Sequence, residues 1–586
     1  MKKNSIKKKT FSNNFISVGS NTKSLFTLKV YRGEGMALLA MNWKKGKPSE
    51  DFIGFSIEYQ EPGGTKFFPV KNRLSFKDKQ GNVSKISQPS LQQPIQKFRW
   101  VHFPYRPDIP GLFTYKVKPV FMNENDELSY GIAQEAQIEL AGVTYPNKFN
   151  VAFTRGFVSS QAFVDEFQKF GSISELVPAK ADDGLTFKPT HPKAKEAFEW
   201  MGFEARKEIL KTLDDAIAER KAIVRAICYD LNEPEVVSRF KTLGKRLEII
   251  IDDNPKDHGA ENSAENSAEQ ILVKAGAKVK RQRMNNIQHN KIIIVDGPKL
   301  KKAIFGSTNF SWRGFYVQAN NAIAVYGSDA TKPFKEAFEN YMKYNSVKDF
   351  GTVLSATNWN DLGLQDINVK ITFSPHGENN LRLNSIAEDI TRKTTSNLLY
   401  SLAFLYETKG ALKDAIVKVT TNKNLFVRGI SDKKVGGLDV LMPNGNPAPV
   451  YAAELSKNLP EPFKSEPSGQ AGKGGGTRMH HKFIVIDFDK PTARVYMGSY
   501  NFSPTADAKN GENLLLIKDR KVATSYMIEA VRLFDHYEFR IAQKMAKKNN
   551  DKLSLLRPPR KAGEKTWWEK YYSDKRRITD RELFSK

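Results

Sequence analysis

Two segments of the chain carry a histidine, a lysine and an aspartate at the same spacing, with apolar residues between the lysine and the aspartate. They are His289, Lys291 and Asp296 in IQHNKIIIVD, and His480, Lys482 and Asp487 in RMHHKFIVID. A neutral imidazole is a nucleophile near pH 7, and a protonated one donates a proton to a leaving oxygen. Lysines hold the anionic oxygens of a phosphate group. The doubled pattern predicts cleavage of a phosphodiester bond by a pair of histidines.

A glycine-serine turn follows each histidine segment. The turns read GSTNFS and GSYNFS, and further amides come slightly later in QANN and NGENLLLI. Hydroxyl and amide groups donate hydrogen bonds to phosphate oxygens while negative charge develops on them. The candidate substrate-binding residues are Ser307, Asn309, Asn321, Ser499, Asn501 and Asn513.

This doubled pattern of His-x-Lys, Asp and Gly-Ser-x-Asn resembles the phospholipase D superfamily, over about residues 190–545. The resemblance implies a phosphodiesterase that works without metal, through a phosphohistidine intermediate. It implies that His289 and His480 form the catalytic pair, with His289 as the nucleophile and His480 as the general acid. It also implies that Lys291 and Lys482 bind the phosphate.

Carboxylates complete the set of catalytic candidates. In the family that the pattern resembles, a carboxylate after the glycine-serine turn supports a histidine. Glu512 fits this role in the second half, but the matching residue of the first half is Asn320, so we expect only one histidine to have a carboxylate partner. Asp296 and Asp487 end apolar strands, where they orient neighbouring groups or cap the following turn. His481 is expected to point to the opposite side of its strand from His480.

A metal site at these histidines is not expected. The sequence has one cysteine, Cys228, so no thiolate cluster is available. The His-x-Lys spacing would also place a lysine cation beside the metal. The sequence therefore predicts no metal and no cofactor.

The charge of the chain bears on its partners. Lys and Arg number 92 against 65 for Asp and Glu, which gives a net charge of +27. Such an excess favours polyanionic partners. Nucleic acid is the preferred substrate, so the prediction is a nuclease. A phospholipase D acting on headgroups at an anionic membrane is the alternative, and a non-enzymatic polyanion binder is a remote third because both histidine motifs are complete.

The location of the protein is predicted from segments that the sequence lacks. No segment approaches the roughly 20 apolar residues of a transmembrane helix. The basic start, MKKNSIKKKTFSNN, has no apolar run of the length found in signal peptides. We therefore expect a cytoplasmic protein, although export by a dedicated secretion machine would leave no such mark. The oligomeric state is not indicated.

The elements that must position the histidines are predicted from the hydrophobic pattern, and the fold class is α/β. Residues 1–155 show short alternating runs broken by turns, which predicts an all-β, sandwich-like accessory domain. Residues 156–189 read as a linker. Strands and helices then alternate in the same order in residues 190–345 and 366–545, which predicts two copies of one α/β unit. The resemblance implies that these are two phospholipase D-like α/β sandwich repeats. We expect one active site on the pseudo-twofold axis between them.

Three polar or basic segments surround these repeats. The Gly/Pro-rich loop at residues 442–477 is either a rim over the active site or a disordered insertion. The loop containing ENSAENSAE is predicted to be exposed, to enter a helix and to have no chemical role. Residues 546–586 form a basic tail whose aromatics either stack on nucleic acid or pack against the α/β body. These aromatics are Trp567, Trp568, Tyr571 and Tyr572.

Overall fold

The computed structural model describes residues 14–156, 166–405, 408–422, 424–431, 440–441, 447–448, 450–451 and 479–586. These residues divide into two compact units. The first contains the described residues up to Gly142 together with Ala542–Lys586, and the second runs from Val143 to Ile541. The loop predicted as a rim, residues 442–477, lies outside the described residues apart from two short strands.

The strands are numbered in chain order. They are β1 (Ile16–Val18), β2 (Phe26–Arg32), β3 (Ala37–Trp43), β4 (Phe52–Gln60), β5 (Phe68–Pro69), β6 (Lys71–Asn72), β7 (Gln88–Pro89), β8 (Arg99–His102), β9 (Leu112–Met122), β10 (Leu128–Tyr130), β11 (Gln134–Glu139), β12 (Phe149–Phe153), β13 (Ile223–Cys228), β14 (Leu247–Asp252), β15 (Lys278–Gln282), β16 (Lys291–Asp296), β17 (Lys301–Gly306), β18 (Asn321–Tyr326), β19 (Asn360–Asp361), β20 (Asn368–Ser374), β21 (Asn397–Leu402), β22 (Phe426–Ser431), β23 (Val440–Leu441), β24 (Pro447–Ala448), β25 (Val450–Tyr451), β26 (Lys482–Ile486), β27 (Arg494–Gly498) and β28 (Glu512–Lys518).

The α-helices are numbered in the same way. They are α1 (Ala194–Ala218), α2 (Pro234–Leu243), α3 (Ala264–Lys274), α4 (Ser328–Lys343), α5 (Val347–Phe350), α6 (Leu354–Thr357), α7 (Leu383–Lys393), α8 (Ala411–Thr421), α9 (Pro504–Ala508), α10 (Arg520–Lys548), α11 (Lys570–Ser573) and α12 (Lys575–Ser585). None of the helices in the described part of the chain is both long enough and apolar enough to cross a membrane.

The first unit is built around two antiparallel sheets. One has the order β1-β2-β3-β8, and the other has the order β10-β9-β4-β5, with β11 also paired to β9. Buried and partly exposed residues alternate along β2, as expected for a strand with one face on a core. The core is rich in phenylalanine, including Phe26, Phe52 and Phe55. The predicted all-β region is confirmed.

The basic aromatic tail belongs to this first unit, which corrects one prediction. Trp567 and Trp568 are 9% and 7% exposed and are part of the same phenylalanine-rich core. The Trp567 indole N–H donates to the backbone oxygen of Phe52 at 3.0 Å. Since these rings fill the core, they do not form the open stacking surface considered for nucleic acid. They pack against the sandwich strands.

The second unit contains two sheets with matching strand orders. The first is β12-β18-β17-β16-β13-β14-β15, and the second is β19-β20-β28-β27-β26-β21-β22-β25. In each, three strands at one end of the sheet pair in parallel, as β13, β14 and β15 do, and the others pair in antiparallel fashion, as β13 does with β16. The central strands β16 and β26 are almost entirely apolar because both faces of each sheet are covered. The predicted pair of α/β repeats is confirmed.

One strand belongs to a different domain from the one predicted. Residues 149–153 were predicted as the last strand of the sandwich, but β12 pairs antiparallel with β18 in the sheet of the first repeat. All five residues of β12 are buried, which a strand inside a two-faced sheet requires. The equivalent strand of the second repeat is β20, which pairs with β28. The first repeat therefore begins before residue 190, within what was predicted as the accessory domain.

Local sequence signals set the helix ends around the first histidine strand. Glu233 caps α2 by accepting a hydrogen bond from the Val236 backbone N–H, and Pro234 occupies the first helical turn. Ser263 caps α3 by accepting from the Asn266 backbone N–H. The duplicated ENSAENSAE stretch is thus half loop and half helix, and its second copy starts α3.

Candidate active site

The two motif histidines lie next to each other between the repeats, with their rings edge to face. His289 comes just before β16 and His480 just before β26. Their ring centroids are 6.4 Å apart, at an interplanar angle of 74°. The rings are 3% and 4% exposed, so both are shielded from bulk water. The sequence placed these two residues 191 positions apart, and the fold brings them into one site.

Backbone hydrogen bonds between the repeats hold the histidines in this position. The His289 N–H donates to the Gly511 oxygen at 2.8 Å, just before β28 of the second repeat. The His480 N–H donates to the Ala319 oxygen at 3.2 Å, just before β18 of the first repeat. Each repeat therefore holds the motif histidine of the other.

The two lysines are buried beside the histidines. Lys482 Nζ donates to the backbone oxygen of His480 at 2.8 Å, and Lys291 Nζ bonds in the same way to His289. Burial lowers the pKa of Lys291 to about 7, and burial together with the Lys291 charge lowers the pKa of Lys482 well below its ordinary value. Two ammonium groups in one buried site repel each other, so an anionic ligand between them would relieve this cost.

His289 has a carboxylate partner from the opposite repeat. Its Nδ1 is 2.6 Å from Oε2 of Glu512, the first residue of β28. The other oxygen of Glu512 accepts from Asn510 Nδ2 at 3.0 Å. Burial raises the pKa of this carboxyl to about 7. Glu512 was expected to support one of the histidines, and the structure places it beside the histidine of the other half, because the ends of β28 and β16 meet across the pseudo-twofold axis.

His480 has an amide partner in the equivalent place. Its Nδ1 lies 2.8 Å from Asn320 Oδ1 and 3.1 Å from the Ser307 backbone oxygen. A backbone oxygen only accepts, so Nδ1 carries the hydrogen. The Asn320 amide is oriented by its Nδ2, which donates to the Gly314 oxygen at 3.0 Å. The Nε2 atom of His480 is therefore the basic nitrogen in the neutral ring.

Both histidines are held neutral in the absence of substrate. Burial lowers the pKa of His289 well below its ordinary value, and the charges of Lys291 and Lys482 lower it further. Burial and the same two lysines also lower the pKa of His480. A ring in this state has a lone pair available for attack.

The glycine-serine turns bring β17 and β27 against the following strands. Gly306 has a φ of +146°, and a Cβ there would lie 2.5 Å from the Asn321 backbone oxygen. Gly498 has a φ of +152°, and its Cβ would lie 2.1 Å from the Asn513 oxygen. Only glycine fits either position.

Four of the candidate substrate-binding residues bond to each other at these turns. The Asn321 N–H donates to Ser307 Oγ at 3.0 Å, and the Asn513 N–H donates to Ser499 Oγ at 3.0 Å. Asn513 Nδ2 also reaches across to Asn290 Oδ1 at 2.8 Å. These bonds fix the turns beside the histidines, and direct contact of the four side chains with substrate stays a prediction.

The other two candidates have a polar atom available. Asn309 donates from Nδ2 to Asp230 Oδ2 at 2.6 Å. Within the described residues, Oδ1 of Asn309 and Oδ1 of Asn501 are buried and have no hydrogen-bond partner. Buried polar atoms are normally paired, so a ligand donor would satisfy both.

Asp296 and Asp487 lie at a distance from the histidine pair, and their place among the catalytic candidates stays a prediction. Asp296 ends β16 and Asp487 directly follows β26, each five residues after a motif lysine and about 16 Å from it at the rise of a strand. Asp487 is fully buried and accepts from the backbone N–H groups of Thr395, Ser396 and Asn397, so it caps the turn before β21. Asp296 pairs with Lys301 and Lys335 near the surface.

His481 points away from His480, as predicted for successive residues of an extended segment. Its Nε2 is 2.9 Å from Glu529 Oε1 in α10. Both side chains are fully buried. His481 therefore anchors a helix and has no contact with the histidine pair.

The sequence interpretation missed an aromatic residue on each side of the site. Tyr229, just after β13, has its ring 4.7 Å from the His289 ring and 4.6 Å from Lys291 Nζ. Phe404, shortly after β21, lies 6.3 Å from the His480 ring and 5.5 Å from Lys482 Nζ. Tyr229 follows β13 and Phe404 follows β21, and these strands pair with the two histidine strands β16 and β26. This position in the sequence could have identified both residues.

A second group near the site was also missed. Asp230, His258 and Glu265 have ligand atoms within 4.8 Å of one another, which is the spacing of a metal site. His258 and Glu265 come from the loop and helix that were assigned no chemical role. The charge of this group is considered below.

Comparisons with known proteins support the repeat assignment. A family model described as "Cardiolipin synthase, PLD-like domain" matches residues 203–342 and 388–533. The phospholipase D of Rickettsia prowazekii (strain Madrid E) is 50% identical over 48 residues, which are 8% of this chain and 22% of that protein. The chain thus spans only 22% of the length of this curated relative.

Solved structures give weaker likenesses. The phospholipase D family member Nuc from Salmonella typhimurium is 24% identical, with a TM-score of 0.21, over 24% of this chain and 88% of that one. The phosphatidylserine synthase of Haemophilus influenzae Rd KW20 is 14% identical, with a TM-score of 0.38, over 55% of this chain and 84% of that one. The two segments matched by the family model each contain one histidine motif and one glycine-serine turn. The two repeats are therefore phospholipase D-like domains.

Proposed function

We propose that the protein is a metal-independent phosphodiesterase that works through a phosphohistidine at His289. The observation that carries this proposal is the facing pair of buried histidines, with ring centroids 6.4 Å apart and a lysine beside each. At this separation, both rings can contact one phosphoryl group from opposite sides, since reacting atoms approach to about 3–3.5 Å.

The proposed reaction has two steps. In the first, Nε2 of His289 attacks phosphorus, the bond from phosphorus to the leaving oxygen breaks, and His480 gives its Nε2 proton to that oxygen. In the second, His480 takes a proton from water, the hydroxide attacks phosphorus, and the bond to His289 breaks. Lys291 and Lys482 neutralise the non-bridging oxygens in both steps.

Substrate binding supplies the protonation state that the first step needs. Without ligand, burial and the two lysines hold the pKa of His480 low, so its ring is neutral. An anionic phosphodiester placed between the lysines cancels their charge and raises the pKa of His480. The general acid is thereby charged only when substrate is present.

Glu512 supports the choice of His289 as the nucleophile. Attack leaves a positive charge on the imidazole, and the carboxylate 2.6 Å from Nδ1 stabilises it. The Asn320 amide beside His480 provides no such charge. His480 therefore releases its proton more readily, as a general acid must.

Nucleic acid is the substrate that we propose first. The net charge of +27 favours a polyanion whose bound counterions are released on association. The aromatic tail no longer adds to this argument, since Trp567 and Trp568 lie in the core of the sandwich.

A phospholipid headgroup is the second candidate substrate. It is favoured by the local identity to proteins named phospholipase D, 50% over 48 residues in Rickettsia prowazekii. Basic charge would then attract the protein to anionic lipid. In this case the preferred substrate would be a lipid in a vesicle.

One experiment compares the two substrates. Wild-type protein and the His289→Ala and His480→Ala variants are incubated in EDTA with labelled DNA, labelled RNA and phosphatidylcholine vesicles. We expect wild type alone to cleave nucleic acid. Release of headgroup with nucleic acid intact would assign the protein to lipid, and absence of turnover on all three substrates would contradict the phosphodiesterase proposal.

Chelation tests the metal-independent part of the proposal. Wild-type activity should be unchanged after dialysis against EDTA, because two imidazoles and two lysines supply the nucleophile, the acid and the positive charge. The rate with added zinc or magnesium should match the rate in EDTA. Complete loss in EDTA with recovery on adding zinc would contradict this mechanism.

A further inference from the structure

A buried ionic cluster lies beside the first-repeat side of the active site. His258 is 8% exposed. Its Nδ1 is 2.8 Å from Asp252 Oδ2, and its Nε2 is 3.1 Å from Asp230 Oδ1 and 4.0 Å from Glu265 Oε1. One imidazole thus joins two carboxylates that come from the ends of neighbouring strands, β13 and β14.

Both carboxylates also bond to parts of the active site. Asp252 Oδ1 accepts the backbone N–H of Gln288, the residue before His289, at 2.5 Å. Asp230 Oδ2 accepts Asn309 Nδ2 at 2.6 Å and Ser311 Oγ at 3.3 Å. The cluster therefore fixes both the chain entering His289 and the turn that carries Asn309.

Tyr229 gives a third connection between the cluster and the site. Its ring stands 4.5 Å from His258 on one side and 4.7 Å from His289 on the other, with both contacts edge to face. Movement of His258 would therefore move the aromatic ring that packs on His289. Packing at this density transmits such shifts.

His258 contributes a positive charge inside the cluster, and Lys291 and Arg313 act on Asp230 from outside it. Burial alone would lower its pKa, but hydrogen bonds to Asp230 and Asp252 raise the pKa well above the ordinary value. With a carboxylate on each ring nitrogen, both nitrogens donate and the ring is an imidazolium. The metal-like spacing of Asp230, His258 and Glu265 therefore reflects a protonated histidine that holds the carboxylates together.

We propose that His258 is a positioning residue for phosphoryl transfer, which acts by tying Asp252 and Asp230 together and so fixing His289 and Asn309. The proposal rests on the proposed function of the site. It applies to the first repeat alone, since the position equivalent to Asp230 in the second repeat is Phe404. Cys228 pairs with Lys291 and Leu402 pairs with Lys482 in the two sheets, so Cys228 and Leu402 are equivalent. Asp230 and Phe404 each lie two residues further along the chain.

The main test compares three variants of the full-length protein on the substrate that wild type cleaves. His258→Gln removes the charge, and His258→Arg keeps a cation with donors on two sides. His376→Gln is the matched control, because His376 is another buried histidine of the second unit, 2.7 Å from Asp507. We expect His258→Gln to lower kcat about 100-fold, the size of effect that a misplacement of roughly 1 Å produces.

The pattern of constants separates positioning from simple destabilisation. KM of His258→Gln should stay within about 3-fold of wild type, because the lysines that bind phosphate are unchanged. His258→Arg should recover at least about tenfold in kcat, and His376→Gln should keep the wild-type kcat. Equal losses of kcat in His258→Gln and His376→Gln, or no loss in His258→Gln, would overturn the proposal. A wild-type enzyme that needs added zinc would also overturn it, since the cluster would then be a metal site.

A second measurement does not depend on turnover. Labelling with ¹⁵N-histidine reports on the ring nitrogens of the eight histidines, and single His→Gln variants assign the signals. We expect His258 of wild type to be doubly protonated at pH 8, and Asp230→Asn, a milder change than His258→Gln, to shift the His289 signal while leaving His376 unchanged. A neutral His258 or an unshifted His289 would overturn the positioning role. If wild type cleaves no phosphodiester, the proposed function fails and this measurement still decides the role of His258.

Discussion

The two repeats share a strand order and a histidine motif, yet they give their histidines different partners. His289 bonds to the carboxylate of Glu512, and His480 bonds to the amide of Asn320. Each partner comes from the opposite repeat. The two partners occupy equivalent places, since Glu512 is the first residue of β28 and Asn320 directly precedes β18. A duplicated fold can therefore assign two chemical roles to one residue type by changing a single neighbour.

The same contrast extends beyond the histidines. The first repeat has Asp230 bonded to His258 beside the site, and the second has Phe404 at the equivalent position. At this one position the first repeat thus has a carboxylate and the second repeat has an aromatic ring. The proposed nucleophile, His289, belongs to the repeat that has the carboxylate.

The largest effect should come from removing either histidine. His289→Ala should lower kcat/KM on the order of 10⁵-fold with any substrate, because no covalent intermediate forms. His480→Ala should be equally slow in turnover but should release one p-nitrophenol per protein from bis(p-nitrophenyl) phosphate, since this leaving group needs no proton. Burst kinetics measure the difference. A burst in His289→Ala and none in His480→Ala would reverse the two roles.

Exchanging the partners should have the next largest effect. Glu512→Gln should lower kcat/KM at least about 100-fold, because the imidazolium that forms on His289 loses its counter-charge. Asn320→Asp should lower it about tenfold, because a carboxylate beside His480 makes that ring a weaker acid. Steady-state kinetics of both variants on one substrate provide the check, and equal losses would show that the partners are interchangeable.

The pH profile should show the same asymmetry with smaller changes. Glu512, with a pKa of about 7, is protonated below that pH and cannot stabilise a cationic His289, so kcat/KM should fall on the acid side. Lys291, also with a pKa of about 7, loses its charge above that pH, so kcat/KM should fall on the alkaline side. The profile of the free enzyme should therefore be a bell centred near pH 7.

Two variants assign the limbs of this bell. Glu512→Gln should remove the acid limb, and Lys291→Arg should remove the alkaline limb because guanidinium stays charged. Persistence of the acid limb in Glu512→Gln would mean that another group controls it.

The smallest effect on activity should come from the aspartates of the two motifs. Asp487→Asn and Asp296→Asn should each keep kcat within about twofold, because both lie at the far ends of their strands. Stability should separate them. Asp487 is fully buried and its loss of charge should reduce stability by about 2 kcal/mol, whereas Asp296 makes near-surface ion pairs worth under about 1 kcal/mol. Urea unfolding and kcat measured together test this, and a large fall in kcat would place either aspartate in the catalytic set.

Much of the architecture could be predicted from the sequence because the repeats are internally periodic. The strands around His289 and His480 are short apolar runs at fixed distances from glycine-serine turns, so motif and element could be predicted together. The sequence could not show that Glu512 and Asn320 each contact the histidine of the opposite repeat, because these contacts depend on how the two sheets meet. A linear sequence shows which residues are equivalent but not which of them touch.

Of two further errors, only the first had a signal in the sequence. Strand β12 could have been assigned to the first repeat by asking for an equivalent of β20, which precedes the helices of the second repeat. Its aromatic and β-branched residues resemble those of the sandwich strands, so composition alone assigned it to the sandwich. The second error concerns the loop with His258 and Glu265. The second repeat has no matching motif that would single out these residues, and their contacts with Asp230 and Asp252 are seen only in the folded structure.

The hydrogen bond between His289 and Glu512 joins residues 223 positions apart, and that between His480 and Asn320 joins residues 160 apart. Evolutionary change in one half is therefore constrained by the other, because a new partner is useful only if the distant histidine can accept it. The halves cannot be reshuffled as independent modules. Across relatives of this chain, we expect substitutions at position 512 to occur together with changes around His289, and substitutions at position 320 together with changes around His480.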